Sequence, residues 1–180
     1  MAKGKRSADA HAVRLRRMYV DCRYGQMHLA TAYPPSGGFD ECAPLLFLHD
    51  EGGTGADFNR CAVLLGIDRS VYAPDLPGSG ASDPVDGRAS VEGLAGAIAD
   101  LIDQLRLRVV DVVGIGRGAA VAFELAAARP QGVRRLVVAA RSSAAAPAKP
   151  TLQLDTDTAQ LIRDPVEPIV LAIRGFLDRV

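Results

Sequence analysis

Residues 109–140 read VVDVVGIGRGAAVAFELAAARPQGVRRLVVAA, and this stretch decides the fold. It opens with a β-branched apolar run at 109–113, which is typical of a buried strand. The glycines of GIGRG at 114–118 predict a tight turn into a helix over 117–128, which a proline and a glycine end. A second apolar strand is expected at 135–139. Strand, turn, helix and strand in this order predict parallel strands with a helix on one face.

The same alternation continues on both sides of this stretch. Further apolar runs bounded by Gly, Pro or Asp predict strands at 13–20, 26–33, 44–49, 70–74 and 151–154. Apolar residues at helical spacing predict amphipathic helices at 91–105 and 166–177, with a shorter helix at 56–65. We therefore expect an α/β fold: a mostly parallel sheet with helices on both faces and a hairpin of the two early strands at one edge.

Composition and charge fit one globular domain and favour no charged partner. The chain has 180 residues, 48% of them hydrophobic, and its 21 basic side chains balance 21 acidic ones. No apolar run is long enough to span a bilayer or to form a secretory signal. We expect a cytoplasmic protein without nucleic-acid or membrane partners, built as one domain over 13–180 behind a basic, disordered arm at 1–12.

The cysteines and the glycine-rich turn at 49–55 point to no cofactor. Cys22, Cys42 and Cys61 are odd in number, lack CxxC spacing and have no clustered histidines beside them. They are expected to be reduced thiols without a metal. The turn lacks the GxxxxGK[ST] pattern of a nucleotide-binding loop. Its free backbone N–H groups could still stabilise an anion.

Three blocks follow strands at the edge where such sheets bind ligands. They are LLFLHDEGG at 45–53, YAPDLPGSGASD at 72–83 and the stretch at 109–140. In this order they resemble the α/β-hydrolase superfamily, whose oxyanion loop joins an apolar strand to His-Gly and further glycines. The second block resembles the APDLPGxGxSD loop of that family, and the third resembles its nucleophile elbow. The resemblance covers about 13–140 continuously.

The resemblance places the nucleophile position at Gly116, where the family's GxSxG pattern has serine. Glycine suits this turn, because the elbow forces a positive φ that costs other residues about 1–3 kcal/mol. Without the hydroxyl, the elbow keeps its shape and its backbone donors. We therefore expect no serine nucleophile here.

The other members of the catalytic triad are also absent by this resemblance. The chain has only His11, His28 and His49, whereas the family's base follows its last strand. Counting back from Pro165 places Thr158 at the base position. Asp155 or Asp157 is the candidate for the vestigial acid, which has no triad role without a histidine.

The family inserts a helical lid after the strand at 135–139, and a short linker at 141–150 stands in its place here. The cleft is then open to water, which weakens electrostatic catalysis. An uncovered sheet surface could also support a homodimer.

Five residues form the oxyanion-like cleft that the resemblance implies: His49, Glu51, Gly52, Gly116 and Arg117. The family keeps its histidine at 49 mainly to brace the loop. The backbone N–H groups of Glu51 and Arg117 correspond to the family's oxyanion hole, so these residues are expected to be neighbours. We predict an ion pair between their side chains.

Three functional hypotheses remain. The first is a catalytically inactive α/β-hydrolase-fold protein that binds a small molecule or a protein. The second is an active hydrolase of ester-type bonds, esterase- or thioesterase-like, in which Asp155, Asp157 or Glu51 activates water. The third is a decayed, internally deleted hydrolase without a selected function.

Overall fold

One seven-stranded sheet lies at the centre of the part of the chain that the computed structural model describes, which is residues 12–37, 42–139, 148–154 and 166–179. Its strands are β1 (Arg16–Cys22), β2 (Gly25–Ala32), β3 (Leu45–Leu48), β4 (Val71–Pro74), β5 (Val110–Ile115), β6 (Val133–Ala139) and β7 (Thr151–Gln153). They lie in the order β1-β2-β4-β3-β5-β6-β7.

The sheet is parallel except at the edge formed by β1 and β2. These two strands form an antiparallel hairpin, and β2 is also antiparallel to β4. The strands from β3 to β7 run parallel to one another. Every residue of β3, β4 and β5 is buried, because helices cover both faces, and their sequences are therefore nearly continuous apolar runs. The mostly parallel sheet with a hairpin at one edge, predicted from the sequence, is confirmed.

In the described ranges four α-helices cover the two faces. They are α1 (Asn59–Leu65), α2 (Val91–Gln104), α3 (Arg117–Ala128) and α4 (Glu167–Leu177). The apolar sides of α2 and α3 lie in one core, and those of α1 and α4 lie in the other. The helix predicted at 56–65 begins instead as a 3₁₀ turn, Gly55–Phe58, and becomes α-helical only at Asn59.

The connection between β6 and β7 is short, because residues 140–150 are all that separates them. A lid of several tens of residues has no room there, in agreement with the predicted lidless domain. Most of the linker predicted at 141–150 lies outside the described residues. Asp155, Asp157 and Thr158 also lie outside them, as does the arm predicted at 1–12 except for its last residue.

A network of arginines attaches α4 to the amino ends of the parallel strands. Arg69 is only 1% exposed and donates to Asp68 at 2.9 Å and to Asp178, which follows α4, at 2.6 Å. Arg174 of α4 pairs with the same Asp68 and donates to the Leu64 carbonyl at 3.0 Å. The last helix is therefore fixed through charged groups as well as through its apolar side.

The network continues on β6. Arg134 donates to the buried Asp111 carboxylate at 2.9 Å through Nε, and to the Leu177 carbonyl at 3.1 Å. The hydrogen bonds that Arg134 donates to the Asp111 carboxylate raise the pKa of its guanidinium. Arg135 also donates to the Leu177 carbonyl. Cations at the end of α4 complement the negative end of its helix dipole. The arginine network thus comprises Arg69, Arg134, Arg135 and Arg174.

Candidate ligand cleft at the carboxyl end of the sheet

The turn between β5 and α3, where the resemblance predicts the nucleophile elbow, has a positive φ at Gly116. Gly116 has φ 52° and ψ −116°, a conformation that glycine adopts without the penalty of a β-carbon. Its N–H donates to the Ala139 carbonyl at 2.9 Å, which ties the turn to β6. At Gly118 a Cβ would lie 2.1 Å from the Leu48 carbonyl oxygen, so α3 approaches β3 as closely as only glycine permits. The turn therefore needs glycine at two positions, at Gly116 for the backbone conformation and at Gly118 for the close approach of α3 to β3.

His49, at the end of β3, braces the loop that follows it. Its side chain is 1% exposed, and Nδ1 lies 2.7 Å from the Asp50 carbonyl oxygen. The backbone N–H of Leu76 donates to Nε2 at 2.8 Å. A backbone N–H can only donate, so Nε2 is the accepting nitrogen and Nδ1 carries the proton. Both nitrogens are engaged, which leaves the imidazole structural.

The two backbone donors predicted to be neighbours converge on one atom. The N–H of Glu51 donates to Oδ1 of Asp50 at 2.8 Å, and the N–H of Arg117 donates to the same oxygen at 2.7 Å. Two N–H groups aimed at one point are the arrangement that stabilises an oxyanion. The protein's own carboxylate occupies that point.

The Asp50 carboxylate also fills the space above the elbow. A Cβ at Gly116 would lie 2.0 Å from Oδ1 and 2.2 Å from Oδ2 of Asp50. These separations are far below any contact distance, so this position of Asp50 and a side chain at residue 116 exclude each other. Sequence reasoning missed Asp50, although a signal was available: the family pattern has His-Gly where this chain has His49-Asp50.

The predicted ion pair between Glu51 and Arg117 is wrong. Glu51 pairs instead with Arg88 at 2.7 Å, and these side chains are 60% and 68% exposed. The guanidinium of Arg117 donates to the carbonyl of Ala89, in the same segment as Arg88. The reason is the segment before α2, which lies beside both residues and supplies a partner to each. The resemblance located the backbone positions but not this neighbour.

A cavity of about 340 Å³ opens beside these groups. The wall combines the polar groups of residues 49–54 and Arg117 with an apolar side that includes Leu76, Val85 and Leu94. Gly52 lies on the wall in a turn with φ 77°, which Gly53 closes by donating to the Asp50 carbonyl at 3.0 Å. Of the residues predicted for the cleft, His49, Glu51, Gly52 and Arg117 line this cavity, whereas Gly116 is not among its lining residues.

Asp75 holds the second loop, 75–83, against the first. Its carboxylate accepts from the N–H of Gly55 at 2.7 Å, from the N–H of Ala81 at 2.8 Å and from His28 Nδ1 at 3.0 Å. The side chain of Asp75 is 6% exposed, and the bonds replace the water that it has lost. His28 is therefore one of the groups that hold the Asp75 carboxylate in place.

Within the ranges that the structure describes, no group of three or more His, Cys, Asp or Glu side chains is placed to hold a metal ion. No helix among the same residues is long and apolar enough to cross a membrane.

Comparisons with known proteins agree with the fold. A family model described as the alpha/beta hydrolase family matches residues 45–179. The 2-hydroxymuconate semialdehyde hydrolase of Pseudomonas sp. (strain CF600) is 34% identical over 99 residues, which is 53% of this chain.

Two solved structures have similar folds. The epoxide hydrolase CorEH superposes with a TM-score of 0.64 at 23% identity, over 75% of this chain and 47% of its own. A serine-to-glycine mutant of the N-acyl homoserine lactonase AidH, complexed with N-hexanoyl homoserine lactone, gives a TM-score of 0.60 at 29% identity. That match covers 69% of this chain and 45% of the lactonase. The chain spans 28–35% of the length of the curated relatives it matches.

Proposed function

The chain belongs to the alpha/beta hydrolase family, and from that premise we propose that it binds a small molecule in its cleft without hydrolysing it. One observation carries the proposal. The Asp50 carboxylate takes the two N–H donors that would otherwise stabilise the oxyanion of a reacting ester. The elbow beneath it has no hydroxyl to attack a carbonyl.

The histidines support the same conclusion. In triad enzymes a histidine must accept the proton of the nucleophile. Both ring nitrogens of His49 are engaged by the backbone, and Nδ1 of His28 faces the Asp75 carboxylate. His11, the remaining histidine of the chain, lies outside the described residues. No histidine of the described residues is therefore available as a general base at Gly116.

A solved structure of a similar fold supports ligand binding after a serine is lost. The lactonase mutant with glycine in place of a serine is complexed with N-hexanoyl homoserine lactone. Loss of a serine in this family is thus compatible with a bound ligand. In the present chain the cavity of about 340 Å³ lies within the range of small-molecule pockets.

An active hydrolase is the second candidate, and one observation favours it. Oδ2 of Asp50 accepts no hydrogen bond from the described residues, and Asp50 lines the cavity. A carboxylate at this place could activate water as a general base. Glu51, an earlier candidate for that role, is paired with Arg88 and largely exposed.

The test combines labelling with binding. The natural chain, Gly116→Ser and the double variant Asp50→Gly/Gly116→Ser are treated with a fluorophosphonate probe and with a panel of aryl esters. Binding is followed by the amide NMR signals of Gly52, Gly78 and Arg117 during titration with six-carbon compounds: an ester, a carboxylate, an alcohol and an amine.

We expect neither labelling nor turnover by the natural chain, and saturable shifts of the cleft amides with at least one compound. Ester turnover by the natural chain that Asp50→Asn abolishes would establish the active hydrolase instead. If no compound shifts the cleft amides, the binding function is wrong.

A further inference from the structure

The hydrogen-bonding polarity of the cleft is reversed from that of an empty oxyanion hole. An empty hole offers two N–H donors to an incoming carbonyl or carboxylate oxygen. Here Oδ1 of Asp50 already accepts both donors, at 2.8 Å from Glu51 and 2.7 Å from Arg117. A ligand that reaches the elbow therefore meets an acceptor where two donors would have been.

The second oxygen of Asp50 is available to a ligand. No described residue donates to Oδ2, although an ionised carboxylate can accept about four hydrogen bonds over its two oxygens. Oδ2 lies 2.2 Å from the place of a Cβ at Gly116, and Asp50 is half-buried on the cavity wall. The atom therefore stands above the elbow, inside the cleft.

The nearby cations are engaged elsewhere. Arg88 is paired with Glu51 at 2.7 Å, and the guanidinium of Arg117 donates to the Ala89 carbonyl. Among the described residues no Lys, Arg or His forms a salt bridge with Asp50. The half-buried Asp50 side chain thus has no cationic partner among the described residues, and a half-buried carboxylate favours one.

We infer that the ligand of this cleft presents a protonated amine to Oδ2 of Asp50 and lays an apolar substituent along Leu76, Val85 and Leu94. The inference rests on the proposed binding function and names the class of ligand. A primary alkylammonium has the donors that Oδ2 needs, and the three apolar side chains line the same cavity.

The test compares matched six-carbon probes on the natural chain. Hexylammonium, hexanoate and methyl hexanoate are titrated while the amide signals of Glu51, Gly52 and Arg117 are followed by NMR. We expect hexylammonium to bind most tightly. Asp50→Asn should weaken it about ten- to a hundredfold, because a charge-assisted hydrogen bond is lost. Asn retains an oxygen for the two backbone donors and turns an amide donor toward the cleft, so hexanoate should gain affinity.

Asp86→Asn is the matched control, because it removes an exposed negative charge from the segment before α2, and Asp86 does not line the cavity. It should leave the affinity for hexylammonium within about twofold. If hexanoate or the ester binds the natural chain better than hexylammonium, the ligand class is wrong while the binding function stands. This ranking requires no variant, so it decides the matter even if Asp50→Asn does not fold. If neither these probes nor the six-carbon alcohol shifts the cleft amides, the proposed function itself fails.

Discussion

At the amino end of the sheet charged side chains are matched mainly with one another, whereas at the carboxyl end carboxylates are matched mainly with backbone N–H groups. Arg69 meets Asp68 and Asp178, and Arg134 meets Asp111. At the other end, Asp50 is held by the N–H groups of two residues, and Asp75 by the N–H groups of two others and by His28.

This difference separates what holds the fold from what shapes the site. The arginine network joins elements far apart in sequence and fixes α4. Its loss should therefore lower the free energy of unfolding of the whole fold. The carboxylates at the carboxyl end set the form of loops that surround a cavity. Loss of these carboxylates should mainly change the conformation of the loops and the affinity of the cleft for its ligand.

Arg69→Ala should produce the largest loss of stability. The side chain is 1% exposed and bonds to two carboxylates, so its removal should lower the free energy of unfolding by about 3 kcal/mol. Denaturant unfolding measures this value. The matched arginine at the other end is Arg88, which is 68% exposed in its pair with Glu51. Arg88→Ala should cost less than about 1 kcal/mol. If Arg69→Ala and Arg88→Ala lost equal free energies of unfolding, the arginine network at the amino end would be no more important for stability than the exposed pair at the carboxyl end.

Gly116→Ser should have the next largest effect, because the new side chain needs the space of the Asp50 carboxylate. We expect a loss of about 2–3 kcal/mol, of which backbone strain at positive φ is one part. When Asp50 is already replaced by glycine, Gly116→Ser should lower the free energy of unfolding only by the cost of the backbone strain. The double-mutant cycle should therefore give a coupling free energy of about 1 kcal/mol or more.

Gly87→Ser is a control that introduces backbone strain at positive φ without a steric clash. Gly87 has φ 75°, and a Cβ there would meet nothing within 4 Å. Its loss of stability should be the same with and without Asp50→Gly. Additive behaviour at residue 116 as well would mean that Asp50 does not occupy the space above the elbow.

Asp100→Asn should have the smallest effect. It measures what an exposed ion pair contributes when it belongs to neither end of the sheet. Hydrogen bonds from Arg23 hold the pKa of Asp100 below its ordinary value. A carboxyl with a lowered pKa in the folded state contributes stability at neutral pH, and this contribution is lost as pH falls through the folded pKa. The natural chain should therefore lose more stability than Asp100→Asn on acidification below about pH 4.

The natural chain and Asp100→Asn should differ in their loss of unfolding free energy on acidification by less than about 1 kcal/mol. The side chains of Arg23 and Asp100 are 48% and 29% exposed, and exposed pairs contribute little. Unfolding free energies at neutral and acidic pH measure this difference. The same acid dependence in Asp100→Asn as in the natural chain would show that this pair contributes nothing.

Much of the fold could be predicted because its signals are local. Apolar residues at helical spacing predicted a helix over 91–105, and α2 is Val91–Gln104. The helix predicted over 117–128 agrees with α3, Arg117–Ala128. Boundaries set by packing were less accurate: β6 begins at Val133, two residues before the predicted strand, because Val133 is already buried against β5.

The site could be predicted only in its backbone. The resemblance placed Glu51 and Arg117 together, since both follow strands that are neighbours in the sheet. It did not predict the partners of their side chains. Arg88 and Ala89 reach the cleft from a segment before α2, whose position depends on how α2 packs on the sheet. No pattern within either loop contains that information.

The sequence by itself determined the parallel sheet, the order of its helices and the tight glycine turn at 114–118, because periodicity and glycine turns act over a few residues. Only the tertiary structure decided that the Asp50 carboxylate fills the space above this turn. The hydrogen bond from the Arg117 N–H to the Asp50 carboxylate joins residues 67 apart in sequence. Such a contact forms when β3 and β5 pair and bring their carboxyl ends together.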